Sequence, residues 1–255
     1  DTILEGLKKD WVFHCGIISK NNSETVYPLS LGNPNVPLDK RISNAICKSL
    51  LEGNVNYLSV RGLNDINICL ANLFSVKPEN IQVTHGAQSA LYLSMKTAYL
   101  FNKKPFLIIN PPYLTTIDTI KSFGASYYSI SHLDELKTFD KDVGTVLIMN
   151  PVSPTGKVWT KEELNLIGKF CKEKDLLCIS DEVYSDLIYN GTCNSVLSIP
   201  DLKERCCAIY SASKSFSMPG VRVGWMVTSS DWIEHVSRLM SSTHASLSGS
   251  ILNGF

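Results

Sequence analysis

The sequence predicts an α/β fold in three layers, with a mostly parallel seven-stranded sheet between two layers of helices. Its 255 residues are 44% hydrophobic, which is enough apolar content to bury one large core. From residue 81 onward, short β-rich runs alternate with helical patterns, as in stacked βαβ units. The predicted strands are almost continuously apolar, which is typical of parallel strands covered on both faces.

The predicted elements follow in order along the chain. Residues 1–38 are interpreted as an N-terminal arm, because "LGNPNVPLD" is rich in Pro and Asn and ends where a helix at about 39–52 begins. Residues 39–255 are predicted to form one domain. The predicted strands lie at 81–84, 105–110, 125–130, 144–149, 176–180, 207–211 and 221–228. Helices fill the gaps, most clearly at 160–174, where Thr160 and Glu163 form a capping box.

The composition excludes several classes of protein. Lys and Arg total 24 and Asp and Glu total 24, so no net charge attracts nucleic acid or an anionic membrane. No apolar run approaches the roughly 20 residues of a membrane span. The five histidines and eight cysteines lack metal-ligand spacing, and no metal site is predicted. Since no C-x-x-C pair occurs, we expect free thiols in a reducing compartment and a cytoplasmic location. The balanced charge favours a small-molecule ligand.

Residues that directly follow a strand are candidates for a site, because ligands of parallel α/β sheets bind at the carboxyl ends of strands. After the first strand, Gly86 allows close backbone approach, and Ala87 and Gln88 open a helix. Unpaired N–H groups at a helix start suit an anion, and the alternative is an ordinary βα turn. After the second strand, Tyr113 lies at a Pro-flanked turn, where it either stacks on a planar ligand or packs structurally.

The fourth and fifth strands are also followed by polar residues. In "NPVSPTG", two prolines and a glycine are predicted to hold Asn150, Ser153 and Thr155 in a fixed turn. Asp181 follows the fifth strand, and Tyr184 comes one helical turn later. Asp181 either caps a helix or faces a cationic ring nitrogen. In the second case, each group would strongly shift the pKa of the other.

The stretch "YSASKSFSMPGVRVGW" completes the predicted site. Lys214 lies three residues beyond the strand that ends at Ser211, and Arg222 follows eight residues later. Arginine binds phosphate bidentately, and lysine forms a Schiff base with an aldehyde. Together with Asp181 as the partner of a ring nitrogen, these residues favour pyridoxal phosphate, a planar aromatic cation that carries a phosphate and an aldehyde.

The motifs resemble those of the class I/II aminotransferase family, which is pyridoxal-phosphate-dependent and has the aspartate aminotransferase fold, fold type I. The resemblance rests on "NYLSVRGLND", "THGAQSAL", "NPPY", "NPVSPTG", "SDEVYSDLIY" and "SASKSFSMPGVRVGW", in this order, and spans about residues 28–255. It implies the large domain of such a transferase. Because the family continues into a small domain with a substrate-binding arginine, we expect the C-terminal small domain to be absent or truncated here.

The resemblance also implies three catalytic residues. Lys214 would carry the cofactor, Asp181 would keep the pyridine nitrogen protonated, and Tyr184 would bond the ring hydroxyl oxygen. Tyr113 would stack on the ring. Ser153 stands where the family usually has an asparagine that bonds the ring oxygen, which weakens that part of the pattern.

The resemblance also implies which residues bind the cofactor phosphate and that a partner subunit contributes one of them. Tyr57 resembles the tyrosine that reaches the phosphate of the neighbouring subunit, so a homodimer with shared active sites is expected. The phosphate of the same chain's site would be held by Ala87, Gln88, Ser211, Ser213 and Arg222.

The leading prediction is an aminotransferase that exchanges an amino acid and a 2-oxo acid through Lys214. One alternative is a lyase, decarboxylase or synthase of the same fold. Others are a non-catalytic pyridoxal-phosphate-binding module of a regulator and a fragment without its own function. The sequence does not specify the amino acid.

Overall fold

The computed structural model describes residues 32–255, which form one seven-stranded sheet with helices. The strands are β1 (Ile81–Thr84), β2 (Phe106–Ile109), β3 (Tyr127–Ile130), β4 (Thr145–Met149), β5 (Leu177–Asp181), β6 (Cys206–Ser211) and β7 (Gly224–Val227). The α-helices are α1 (Lys40–Leu51), α2 (Asn64–Phe74), α3 (Ala87–Asn102), α4 (Thr116–Ser122), α5 (Lys161–Glu173), α6 (Ala212–Ser215), α7 (Ser230–Thr243) and α8 (Gly249–Gly254).

All seven predicted strands are present, and the predicted α/β fold is confirmed. The predicted helix at 160–174 is α5, and its Thr160 and Glu163 form the expected capping box. The last strand begins later than predicted, because a 3₁₀ turn occupies Pro219–Val221 and Arg222 has a left-handed backbone with φ of 63°. The N-terminal arm, residues 1–38, lies mostly outside the described residues and stays a prediction.

The order of the strands is β1-β7-β6-β5-β4-β2-β3. Strands β2 to β6 run parallel to one another, whereas β7 is antiparallel to both β1 and β6. Gly224, the first residue of β7, pairs with Thr84 at the end of β1 and with Ser211 at the end of β6. The start of β7 therefore lies at the carboxyl edge of the parallel strands, where a ligand is expected.

Burial shows that both faces of the sheet are covered. Every residue of β1, β2, β4, β6 and β7 is buried. Successive strand residues point to opposite faces, so helices and loops must pack on both. Helix α3 contacts β5, β6 and β7 on one face and also packs against α7. The sheet is thus held rigidly beneath the loops at its carboxyl edge.

Candidate active site

A cleft of about 570 Å³ opens at the carboxyl edge of the sheet. It brings together residues that are far apart in the sequence but follow strand ends or precede β7. The predicted site residues that line it are Ala87, Gln88, Tyr113, Ser153, Asp181, Tyr184, Ser211, Ser213, Lys214 and Arg222. Tyr57 does not line this cleft; its side chain is 91% exposed on the surface of the chain.

Lys214 projects from α6, a helix of four residues directly after β6. Ser211 caps this helix, because its Oγ accepts a hydrogen bond from the Ser213 amide (3.1 Å) and donates to Ser213 Oγ (2.9 Å). The Lys214 amine donates to the carbonyl oxygen of Gly32 and lies 5.5 Å from the ring centroid of Tyr184. Burial lowers the pKa of Lys214, and the nearby Asp181 carboxylate partly opposes that shift.

Asp181 is the last residue of β5 and is only 5% exposed. Its Oδ1 accepts a hydrogen bond from the Val183 amide at 3.3 Å. Burial raises the pKa of Asp181 to about 7, and the Val183 hydrogen bond opposes that rise. The helix considered in the capping alternative is absent, because residues 183–186 form a turn. That turn still directs Tyr184 into the cleft.

Tyr184 is half-buried in the wall of the cleft. Burial raises its pKa, and the Asp181 carboxylate and Tyr113 add to that effect. A side-chain interaction with Ser153 lowers the Tyr184 pKa. Ser153 therefore faces the tyrosine hydroxyl from the "NPVSPTG" turn, at the position where the family usually has asparagine.

The other polar residues of that turn do not reach the cleft. Asn150 is fully buried; its amide donates to the Asn194 carbonyl (2.6 Å), and its Oδ1 accepts from the Trp159 amide (3.1 Å). Thr155 Oγ1 accepts from the Lys157 amide at 3.3 Å. Both side chains hold the turn together, and of the three predicted polar residues only Ser153 lines the cleft.

Arg222 and the loop before α3 form an anion cradle at one end of the cleft. Arg222 Nη1 donates to the Pro219 carbonyl (2.7 Å), and Nη2 donates to the His85 carbonyl (3.4 Å). A Cβ at Gly86 would lie 2.8 Å from Arg222 Cζ, and Gly86 has φ of 77°. The backbone conformation therefore favours glycine, and a side chain there would displace the Arg222 guanidinium.

The first turn of α3 adds backbone donors to the cradle. Gly86 is its N-cap and has no side chain to satisfy the first amides, among them those of Ala87 and Gln88. These N–H groups and the dipole of the 16-residue helix favour a negative charge. The Gln88 side chain also lines the cleft, and its Oε1 accepts from the Thr115 hydroxyl at 3.2 Å.

Gly32 was missed by the sequence interpretation. Besides accepting from Lys214, it lines the cleft, and a Cβ there would lie 2.8 Å from Lys214 Nζ and 3.2 Å from the Tyr184 hydroxyl. Gly32 contributes its carbonyl oxygen, and its lack of a side chain leaves room for the Lys214 amine and the Tyr184 hydroxyl. The "LGNP" stretch indicates only an N-terminal arm rich in Pro and Asn.

The comparisons with known proteins agree with this geometry. The family model for aminotransferase class I and II matches residues 24–252. The chain belongs to the class I and II aminotransferase family. It is 29% identical over 245 residues to the aspartate aminotransferase of Sulfurisphaera tokodaii, covering 89% of this chain and 61% of that protein. It is 31% identical over 235 residues to the aspartate aminotransferase of Bacillus subtilis, covering 85% of this chain and 59% of that protein.

The fold is that of solved aminotransferases. The aspartate aminotransferase of Thermotoga maritima superposes with a TM-score of 0.90 at 24% identity, covering 100% of this chain and 72% of that chain. The chain spans about 60% of the length of its curated aminotransferase relatives. Enzymes of this family depend on pyridoxal phosphate.

Two further features concern residues 32–255 alone. None of the helices there combines the length and apolar character needed to cross a lipid bilayer. The same residues contain no group of three or more His, Cys, Asp or Glu side chains arranged to hold a metal ion.

Proposed function

We propose that this protein is a pyridoxal-phosphate-dependent aminotransferase that acts on an amino acid and a 2-oxo acid. The observation that carries the proposal is the meeting of Lys214, Asp181 and Arg222 in one cleft. An amine, a buried carboxylate and an anion cradle match the aldehyde, the ring nitrogen and the phosphate of this cofactor.

The residues present fit the cofactor. Arg222, the amides that open α3 and the hydroxyls of Ser211 and Ser213 supply cationic and neutral donors for the phosphate. Asp181 is a buried carboxylate whose Val183 hydrogen bond leaves acceptor positions unused. A cationic ring nitrogen would satisfy that acceptor capacity.

Other residues would complete the contact with the ring. Tyr184, supported by Ser153, would bond the ring hydroxyl oxygen, and Tyr113, which is 37% exposed beside the cleft, would stack on the ring face. These roles match what the family motifs imply for the same positions.

Bound pyridoxal phosphate supplies an electron sink for charge that develops at the substrate α-carbon. Asp181 would hold a proton on the ring nitrogen and so keep that sink cationic. Lys214 would hold and move the proton at the α-carbon, because its lowered pKa increases the neutral fraction of the amine. The Gly32 carbonyl would orient the lysine for this task.

A lyase or decarboxylase of the same fold would use the same cleft. Product analysis separates them, since transamination yields a 2-oxo acid without release of carbon dioxide or free ammonia. A panel of amino acids incubated with the holoprotein, with all three products measured, tests the proposed reaction. Release of carbon dioxide together with an amine, or of ammonia in proportion to the oxo acid, would favour the alternative.

Lys214 is expected to bind the cofactor covalently. Borohydride reduction of the holoprotein followed by peptide mass mapping should place the pyridoxyl group on Lys214, because its buried amine has a lowered pKa. Lys214→Ala should abolish the labelled peptide. Label on Lys157, whose amine instead pairs with Glu163 at 2.7 Å, would contradict the assignment.

A homodimer with shared active sites is part of the proposal. Tyr57 is exposed near the end of α1, where Leu51 and Val55 are also exposed (89% and 71%), and this apolar surface suits a second copy of the chain. Tyr57 would reach the phosphate of the partner's site.

The seven free cysteines among the described residues support a cytoplasmic location.

Shared sites predict complementation between two defective variants. Lys214→Ala and Tyr57→Ala are each expected to have low turnover. After joint unfolding and refolding in equal amounts, about a quarter of the wild-type turnover should return, because half of the dimers then contain one intact site. Turnover equal to the mean of the two variants would contradict a contribution of Tyr57 across the interface.

A further inference from the structure

The helix that carries Lys214 is too short to hold its own position. Helix α6 has four residues, and its internal backbone bond is from the Phe216 amide to the Ala212 carbonyl (3.1 Å). Its N-terminal end is fixed to the sheet by the Ser211 cap and by the Ala212 amide, which donates to the Val223 carbonyl at 3.1 Å. The end beyond Lys214 needs support of another kind.

That support comes from the segment that carries Asp181 and Tyr184. Ser215, the last residue of α6, donates its hydroxyl hydrogen to Asp186 Oδ2 at 2.6 Å. Asp186 closes the turn at residues 183–186, in which the Ser185 amide donates to the Glu182 carbonyl (3.0 Å). The two segments are also joined at their sheet ends, where β5 pairs with β6 and the Tyr210 hydroxyl donates to Glu182 Oε2 (2.6 Å). The bond from Ser215 to Asp186 connects them on the far side of Lys214.

Neither residue lines the cleft, so the contact would act without touching the ligand. The C-terminal side of α6 also has an apolar contact, because the Phe216 ring packs edge-on against Phe255 at 5.3 Å. The bond to the Asp186 carboxylate is charge-assisted and directional, which suits it to hold the rotation of α6 about its fixed end.

We propose that Asp186 and Ser215 form a clamp that positions Lys214 opposite Tyr184. The proposal rests on the proposed function, since it assigns Lys214 the role of binding the cofactor. With the clamp closed, the amine stays in the narrow space between the Gly32 carbonyl and the Tyr184 ring. With the clamp open, α6 turns about Ser211 and the amine moves toward solvent.

Covalent capture of the cofactor tests the clamp. Asp186→Ala and Ser215→Ala should each slow borohydride-trapped labelling of Lys214 by about fivefold, which is the upper end of the scale for an exposed hydrogen bond to a charged group. The double variant should be no slower than either single one, because both remove the same bond. Asp186→Asn and Ser215→Thr keep an acceptor and a donor and should restore the rate.

A second readout needs no cofactor. The rate at which Lys214 is reductively methylated by formaldehyde and cyanoborohydride, measured against pH by peptide mapping, gives the midpoint of its amine titration. Burial lowers the Lys214 pKa in the native chain. The two alanine variants should raise the midpoint toward the ordinary value of lysine, because the released amine is better hydrated.

A matched control removes another exposed contact of the same length. Asp201→Ala breaks the Lys172–Asp201 pair (2.6 Å) and should change neither readout. An unshifted midpoint in both alanine variants, additive rate effects, or failure of Asp186→Asn to restore the rate would overturn the clamp. Absence of cofactor labelling in the wild-type chain would instead overturn the proposed function, and the methylation midpoint would still test the clamp.

Discussion

Asp181→Asn is expected to reduce turnover by about 10²- to 10³-fold while leaving the fold intact, because it removes one preorganised charge from the reacting ring. Asparagine has the shape of aspartate and can still accept from the Val183 amide, which lies 3.3 Å from Asp181 Oδ1. It cannot keep a proton on the ring nitrogen by charge. Steady-state kinetics of the variant saturated with cofactor give the measurement.

The same substitution should raise the stability of the chain without cofactor. Burial raises the pKa of Asp181 to about 7 from its ordinary value of 3.8. The folded state therefore binds a proton more tightly than the unfolded state, and stability is lost as the pH rises from about 4 to 7. A shift of this size corresponds to at most about 4 kcal/mol. Asp181→Asn should remove that dependence and raise the melting temperature at pH 8.

These two effects have opposite signs, which separates an electronic role from a structural one. A variant that melts lower without cofactor but keeps its turnover would show that Asp181 serves the fold. Asp142→Asn is the control, because Asp142 is an exposed carboxylate paired with Lys104 at 2.8 Å. It should change neither the turnover nor the pH dependence of melting.

Gly86→Ala is expected to weaken pyridoxal phosphate binding by about 10- to 100-fold, the range for losing a hydrogen bond to a charged group. The new Cβ would lie 2.8 Å from Arg222 Cζ and would push the guanidinium out of the cradle. A titration of cofactor fluorescence or absorbance gives the dissociation constant. Binding of pyridoxal, which lacks the phosphate, should change much less.

Gly124→Ala is a matched control for that variant. Gly124 has the same φ of 77°, but nothing lies within 4 Å of a Cβ placed there. Both variants place alanine at a positive φ that residues with a side chain rarely adopt, and both should lose stability. Only Gly86→Ala should lose cofactor affinity. Equal affinity losses in the two variants would mean that the Arg222 contact is not what matters.

Much of the fold follows from local sequence, because most strands are short, largely apolar runs that alternate with helical patterns. Helix α5 could be placed almost to the residue from its capping box of Thr160 and Glu163. The order of the strands could not. Nothing in the local pattern of 224–227 specifies that this strand runs antiparallel between β1 and β6, since that depends on packing across the whole sheet.

The candidate site, like the fold, could be predicted only in part. Side chains with distinct chemistry, such as Lys214, Asp181 and Arg222, could be predicted to converge because they flank strand ends. Gly32 could not be found, because the carbonyl oxygen it offers belongs to every residue. The hydrogen bond between Ser215 and Asp186 could not be predicted either, because it depends on how α6 packs against the turn at residues 183–186.

The position of β7 also constrains when the cofactor can be captured during synthesis. In the sheet that residues 32–255 form, β1 is at the edge and pairs with β7, so that Ile81 meets Val227. Such distant pairing forms late, because a long loop must close before any contact compensates for the lost entropy. A growing chain that has not yet passed Arg222 has the glycine loop but not the arginine. Phosphate binding that uses Arg222 is therefore expected only after synthesis has passed this residue, which directly precedes the strand that joins β1 to the sheet.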